Sequence, residues 1–397
     1  MARFHGVSQF IFLTLTVAST SSSSPNFPIA KPGCDDRCGD VSIPFPFGTT
    51  PDCYLNNMFL ISCNKSSTPH KLFLYETTTD IEITDISLDG QLTVLPYISH
   101  DCYNPNGTSR SSSSPWIRLS NTILTVNSTA NKFTIIGCDT YGYFYGRRLN
   151  RDYQTRTGCM AMCGAVDDLV QGSCAGTGCC HISIPDDVWR VDLTLGSFRN
   201  YSNVSGLGNC SYAFVVKESA YTFYPQNLTN LMDVRTRMPM VTDWAIGDDT
   251  NCEMAQMNRS SYACKGANAL CKNKTSNGYG YRCFCKEGYQ GNPYLDGGCQ
   301  DINECLNTSL NDCGENNCVN TPGSFDCTCP KGYHGDGKRE GKGKGCIRGE
   351  SRAYKLEAGV ALGVILLLLA AWLFHLELKR RRLIKSRSKA FLGSIRT

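Results

Sequence analysis

Cysteine is missing from the first 33 residues and from everything after Cys346, yet 24 cysteines crowd the stretch between. Histidine is scarce, with six in 397 residues. His70, His100, His181 and His334 sit in no recognisable nucleophile motif, so no catalytic constellation stands out. A surplus of positive charge is also lacking: residues 25–357 carry 30 Lys and Arg against 34 Asp and Glu. Nucleic-acid binding is therefore unsupported. The stretch GDGKREGKGKGC (Gly335–Cys346) lacks the Gly-x4-Gly-Lys-Ser/Thr spacing of a phosphate loop and reads as a solvated, flexible loop.

Formal charge disappears altogether between Ala358 and Leu376 in AGVALGVILLLLAAWLFHL. Those residues make a helix of about 28 Å, close to the ~30 Å hydrocarbon thickness of a bilayer. The next 21 residues, 377–397, hold eight Lys and Arg and one acid, which assigns that flank to the cytosol and to anionic inner-leaflet lipids. So short a remainder leaves no partner domain to bury the helix. At the other end, residues 1–24 carry one charge, Arg3, then FIFLTLTVA and a serine run, the pattern of a secretory signal peptide. The sequence predicts a single-pass plasma-membrane protein with its N-terminal side outside.

That compartment is oxidising, so an even number of cysteines is read as disulfides rather than as zinc ligands at Cys179/Cys180 or Cys283/Cys285. Ten Asn-x-Ser/Thr sequons agree with secretion: Asn64, Asn106, Asn127, Asn200, Asn203, Asn209, Asn227, Asn258, Asn273 and Asn307. Twelve cysteines lie in residues 25–211, six in 252–299 and six in 300–346. The first region alternates polar and apolar residues, as in DIEITDISLDGQLTVL, where Ile81, Ile83, Ile86 and Leu88 change phase once and Asp89–Gly90 signals a turn. The fold class expected is mostly β, in disulfide-rich extracellular modules with two small EGF-like domains and one transmembrane α-helix. Residues 212–251, which lack cysteine, are read as the tail of the β module plus a connecting region, 347–357 as a juxtamembrane segment, 358–376 as the span and 377–397 as the tail. Trp244 is read as a packing residue.

The pieces CGDVSIPFPFG (Cys38–Gly48), IGCDTYGYFYG (Ile136–Gly146) and GTGCCHISIP (Gly176–Pro185), in this order, resemble the galacturonan-binding outer domain of plant wall-associated receptor kinases. Pro44 and Pro46 hold their neighbours extended and present Phe45 and Phe47 as anchors. The resemblance, spanning roughly Cys34 to Cys210, implies a domain that contacts pectin. Each later set of six cysteines has the order of an EGF-like module. The resemblance then implies the pairs Cys252–Cys271, Cys264–Cys283, Cys285–Cys299, Cys305–Cys318, Cys313–Cys327 and Cys329–Cys346. DINEC before Cys305 and CVNTPGSF after it resemble the calcium-binding EGF pattern. By that resemblance Asp301, Glu304 and Asn320 supply side-chain oxygens to Ca2+, and Ile302, Thr321 and Ser324 supply carbonyls. Calcium there is expected to stiffen the EGF pair into a spacer, with Tyr289 packing at the junction. The first EGF-like unit lacks the pattern and is expected to bind none.

A slightly acidic outer region holds a polyanion only through a local cluster. The candidate is YGYFYGRRLNRDYQTR, where Arg147, Arg148, Arg151 and Arg156 mingle with Tyr141, Tyr143, Tyr145 and Tyr153. Guanidinium forks match carboxylates, and aromatic faces stack on sugar rings; a charged β-edge with its tyrosines turned into the core is the competing reading. Wall-associated kinases continue past the span into a kinase domain. This sequence stops at Thr397, so the expectation is a non-enzymatic receptor-like protein with a kinase-bearing receptor as second partner. A structural tether between wall and membrane, or a truncated product, is the alternative.

Overall fold

The computed structural model describes residues 27–75, 80–119, 123–148, 153–247, 250–274, 280–348 and 352–393. The expected signal peptide and Arg151 lie outside them. The chain is mostly β, with every described cysteine in a disulfide. It divides into two compact units, Met1–Asp301 and Ile302–Thr397.

The first unit is built on two sheets. A ten-stranded antiparallel sheet runs, in spatial order, through Gln154–Met162, Asp139–Arg148, Val188–Ser197, Leu124–Val126, Met240–Trp244, Gln91–Leu95, Glu82–Ser87, Lys71–Leu74 and Ile61–Asn64, with Ile117–Arg118 pairing to Val188–Ser197. A five-stranded sheet runs Cys179–Ser183, Asn131–Ile136, Cys210–Lys217, Ser99–Tyr103, Ser109–Ser113. The inner faces meet where Phe133 of the smaller sheet lies 5.8 Å from Phe144 of the larger. Ile81, Ile83 and Ile86 are all buried. Their change of phase is a β-bulge between Ile83 and Asp85, where one extra residue returns the strand to its core-facing register. The turn at Asp89–Gly90 joins this strand to Gln91–Leu95, with Gly90 at φ +95°.

Residues 212–251, read as the tail of the β module plus a connecting region, contribute to two interior strands. Cys210–Lys217 is the central strand of the five-stranded sheet, buried along all but its last residue. Ala213 and Val215 join the core between the sheets, while Tyr212, Phe214 and Val216 join a second core beneath the helix Asn227–Val234. A strand covered on both faces loses the alternating pattern that marks a half-exposed one. Met240–Trp244 is likewise interior to the larger sheet, and Trp244 is fully buried against Phe47, Phe59 and Tyr294.

Six disulfides tie the sheets: Cys34–Cys53, Cys38–Cys63, Cys102–Cys210, Cys138–Cys163, Cys159–Cys180 and Cys174–Cys179. The ligand atoms of Cys174, Cys179 and His181 lie within 4.8 Å of one another, but the Cys174–Cys179 bond leaves no thiolate to bind a metal. His181 shares a hydrogen bond with Thr134 through Nδ1, and burial holds its pKa below the ordinary histidine value.

The first EGF-like module closes Cys252–Cys271, Cys264–Cys283 and Cys285–Cys299 and packs into the same unit. Arg282 donates through Nε to the Trp244 carbonyl at 2.7 Å, and Ile246 bridges Tyr281. Buried Asp187 and half-buried Lys274 approach to 3.8 Å, and Lys274 also donates to Thr125 Oγ1 at 3.1 Å. Asn292 is completely buried and donates to the carbonyls of Ile29 and Phe45, each at 2.7 Å. The module is thus built into the first unit, the head.

The second unit begins at Ile302 and closes Cys305–Cys318, Cys313–Cys327 and Cys329–Cys346. The basic stretch Gly335–Cys346, expected to be a flexible loop, is pinned. Asp336 accepts from the backbone N–H groups of Lys338, Lys344 and Gly345, which holds its carboxyl below the usual range, and Lys338 donates to Asp312 at 3.0 Å. Past it, the helix Arg352–Gly393 contains one stretch, Leu356–Arg387, long and apolar enough to cross a membrane.

Candidate functional site

From Thr140 to Arg147 the strand Asp139–Arg148 alternates between a buried and a more open face. Gly142, Phe144 and Gly146 are buried; Tyr141, Tyr143, Tyr145 and Arg147 take the opposite face, where Tyr143 is 45% exposed. Side-chain direction reverses at every residue of a strand, so placing Phe144 against Phe133 turns all three tyrosines outward. Their rings form a row, 5.9 Å from Tyr141 to Tyr143 and 6.2 Å from Tyr143 to Tyr145. Tyr143 pairs with Gly158 and Tyr141 with Gly196. A Cβ on Gly158 would meet the Tyr143 ring at 2.6 Å, and one on Gly196 the Tyr141 ring at 2.4 Å, so these glycines let the rings lie flat across neighbouring strands. The competing reading, tyrosines in the core, does not hold.

Arginines flank one end of the row. Arg156 pairs with Tyr145 and lies 5.3 Å from its ring centre. Arg147 pairs with Arg190, which pairs in turn with Arg118. The one acid on these cross-strand neighbours is Asp192, beside Tyr145 and bonded to Arg190 at 3.0 Å. Arg148 does not join them: a register shift follows Arg147, and Arg148 donates to the Asp186 carbonyl at 2.7 Å. At about 3.4 Å per residue, Tyr141 to Arg147 spans roughly 20 Å. The face therefore offers π surfaces, at least three guanidinium groups and little opposing charge. Arg190, Arg118 and the two glycines were missed from the sequence, because they reach this face only through strand pairing.

None of the three strands carries an asparagine, so no sequon stands on the strands themselves. Asn127, one of the ten sequons, is 6% exposed, donates to Asp243 at 2.9 Å and accepts from the N–H groups of Thr129 and Ala130. Its amide is committed to the fold. Asn106 and Asn307, by contrast, are exposed and accept from the Thr and Ser of their own sequons.

The expected calcium ligands fall as follows. Asp301 ends the strand Cys299–Asp301, paired with Tyr289 in the first unit. In the second unit Ile302 precedes a 3₁₀ turn, Glu304–Leu306, that packs against the hairpin Cys318–Thr321/Ser324–Cys327. Cys305–Cys318 staples turn to hairpin; Asn320 pairs with Phe325, and Thr321 with Ser324. Glu304 is 8% exposed, and its Oε2 has no hydrogen-bond partner among the described residues. A buried carboxylate oxygen left bare costs free energy unless a cation neutralises it. Oxygen donors of this kind suit a hard cation such as Ca2+.

Residues 34–96 match a family model described as wall-associated receptor kinase galacturonan-binding, and residues 301–346 match the calcium-binding EGF domain. The tyrosine row lies outside the first match. Wall-associated receptor kinase 2 of Arabidopsis thaliana is 35% identical over 365 residues, covering 90% of this chain and 46% of its own length. Wall-associated receptor kinase 5 of the same plant is 38% identical over 306 residues, with 75% and 38% covered. Wall-associated receptor kinase 1 is 34% identical over 323 residues, with 77% and 40% covered. The chain spans less than half the length of these relatives.

Proposed function

Because this chain belongs to the wall-associated receptor kinase family, over the less than half of its relatives' length that it spans, we propose that it acts at the plant plasma membrane as a receptor-like binder of pectin. The N-terminal side would face the wall, with the helix within Leu356–Arg387 as anchor and a kinase-bearing receptor as signalling partner. The observation that carries the binding site is the outward row Tyr141, Tyr143, Tyr145 with Arg147 and Arg156 beside it. Galacturonan presents a carboxylate on each sugar, and a region with no overall positive charge needs such a local concentration of guanidinium. The family match supports the choice of sugar.

Replacing Arg147 and Arg156 together by glutamine removes two charge-assisted contacts, each on the order of 1.5 kcal/mol or more, and should lower retention of the ectodomain on de-esterified pectin about a hundredfold. Arg148→Gln, which touches a backbone carbonyl instead, is the control. Full retention by the double variant would discard this face as the site, and an ectodomain that never binds pectin would discard the reading itself.

Calcium is the cofactor we assign to the second EGF-like unit, where Glu304 and Asn320 would hold it and the ion would supply the charge that the buried carboxylate lacks. Extracellular modules of this kind bind with dissociation constants of about 10⁻⁴–10⁻³ M. Calcium should raise the melting temperature of the unit, and Glu304→Gln should abolish that rise. A rise that survives Glu304→Gln would remove Glu304 from the ligand set.

A further inference from the structure

The tyrosine row ends in a cleft of about 620 Å³. Met162, 45% exposed and paired with Asp139 one step beyond the Met160–Tyr141 pair, lines it from the same outward face. Phe198, 49% exposed and 5.0 Å from the Tyr141 ring, stands beside it. The surface is thus continuous from Arg147 along the tyrosines to this opening.

The polar groups of the cleft are unlike those of the row. Asp139 is buried and spent, its Oδ2 accepting from Ser197 Oγ and from the N–H groups of Arg199 and Tyr201. Asp168 also lines the cleft, and its Oδ2 accepts from the N–H groups of Gly164 and Ala165. The guanidinium of Arg199 is exposed and makes no hydrogen bond or ion pair among the described residues. One unpaired fork for a carboxylate, beside one acceptor for hydroxyl groups, matches the two kinds of polar group on a single uronic acid ring. A volume in the range of small-ligand sites holds one or two such rings.

We propose that this cleft is an end subsite: it takes the terminal uronic acid residue of the acidic polysaccharide laid along the tyrosine row, with Arg199 on its carboxylate and Asp168 on its hydroxyls. The inference rests on the row being the polysaccharide face. It makes the site a reader of chain ends, and so of fragments, because a long polymer offers few ends per unit mass.

The test measures binding of trigalacturonic acid and of long de-esterified pectin to the ectodomain by calorimetry. It is run before and after enzymatic deglycosylation, since Asn203 of a sequon also lines the cleft. Arg199→Gln should weaken the trimer about tenfold, the loss of one charge-assisted contact, and leave the polymer within twofold; Arg199→Lys should fall between. Because this side chain supports nothing in the fold, the variant should melt with the wild type. Unchanged trimer affinity, or equal loss for trimer and polymer, would overturn the end subsite. If Arg199→Gln weakens the trimer while the Arg147/Arg156 double variant binds polymer normally, the row reading fails and the cleft stands alone.

Discussion

Trp244→Ala should destabilise the first unit by about 3–5 kcal/mol, the range for truncating a buried tryptophan. Its ring is fully buried, with edge contacts to Phe47 at 5.2 Å and Phe59 at 6.0 Å and a tilted contact to Tyr294 at 5.8 Å. Its Nε1–H donates to the Ser87 carbonyl, which would keep only the Gly90 N–H after truncation. Tyr294 belongs to the first EGF-like module, and Phe47 and Phe59 to the N-terminal segment, so one cavity would open between both. Domain stabilities are about 5–15 kcal/mol, so secretion should fall steeply. In guanidinium unfolding, the wild-type head and module should melt in one transition with a midpoint that drops in the variant. Two separate wild-type transitions would contradict a shared core.

Asn292→Ala should cost a comparable amount by a different route. The side chain is completely buried and satisfies three backbone groups: Nδ2 donates to the Ile29 and Phe45 carbonyls, and Oδ1 accepts from the Tyr294 N–H at 3.0 Å. The Ile29 carbonyl keeps the Phe45 N–H, but the Phe45 carbonyl and the Tyr294 N–H would each lose this partner at about 1–3 kcal/mol, because water cannot replace what is removed. The sum is about 3–5 kcal/mol if part of the seam relaxes to admit water. Hydrogen exchange should localise the loss, with amides of the first EGF-like module and of the segment around Phe45 exchanging faster and those of the second unit unchanged. A uniform loss across both units would refute the seam.

The tyrosine row shows where sequence reading stops. The alternation of Tyr141, Tyr143 and Tyr145 was legible, since a period of two puts them on one face whatever surrounds them. Which face pointed out was not, because Gly142, Phe144 and Gly146 alternate equally well. Phe133, from another strand of another sheet, decided it. Arg148 looked equivalent to Arg147, and only the register shift between them separated the two. Glu304 was expected as a ligand only through the resemblance of its place before Cys305, whereas the bare oxygen that argues for an ion emerged only from packing.

By itself the sequence determined the properties that act over short chain distances. These are an apolar run long enough to span a bilayer, the cysteine spacings of the EGF-like modules, the alternation of strands and the acid–asparagine pattern of a calcium module. The span and the alternation follow from residue counts and periodicity, and the two module patterns from a resemblance carried by motifs within one stretch of chain. The tertiary structure alone decided that the first EGF-like module is built into the head, that residues 212–251 supply interior strands, and that tyrosines, arginines and a cleft share one face. Those facts depend on which distant segments bury one another, and burial is a property of the assembled pair of surfaces, not of either stretch of chain.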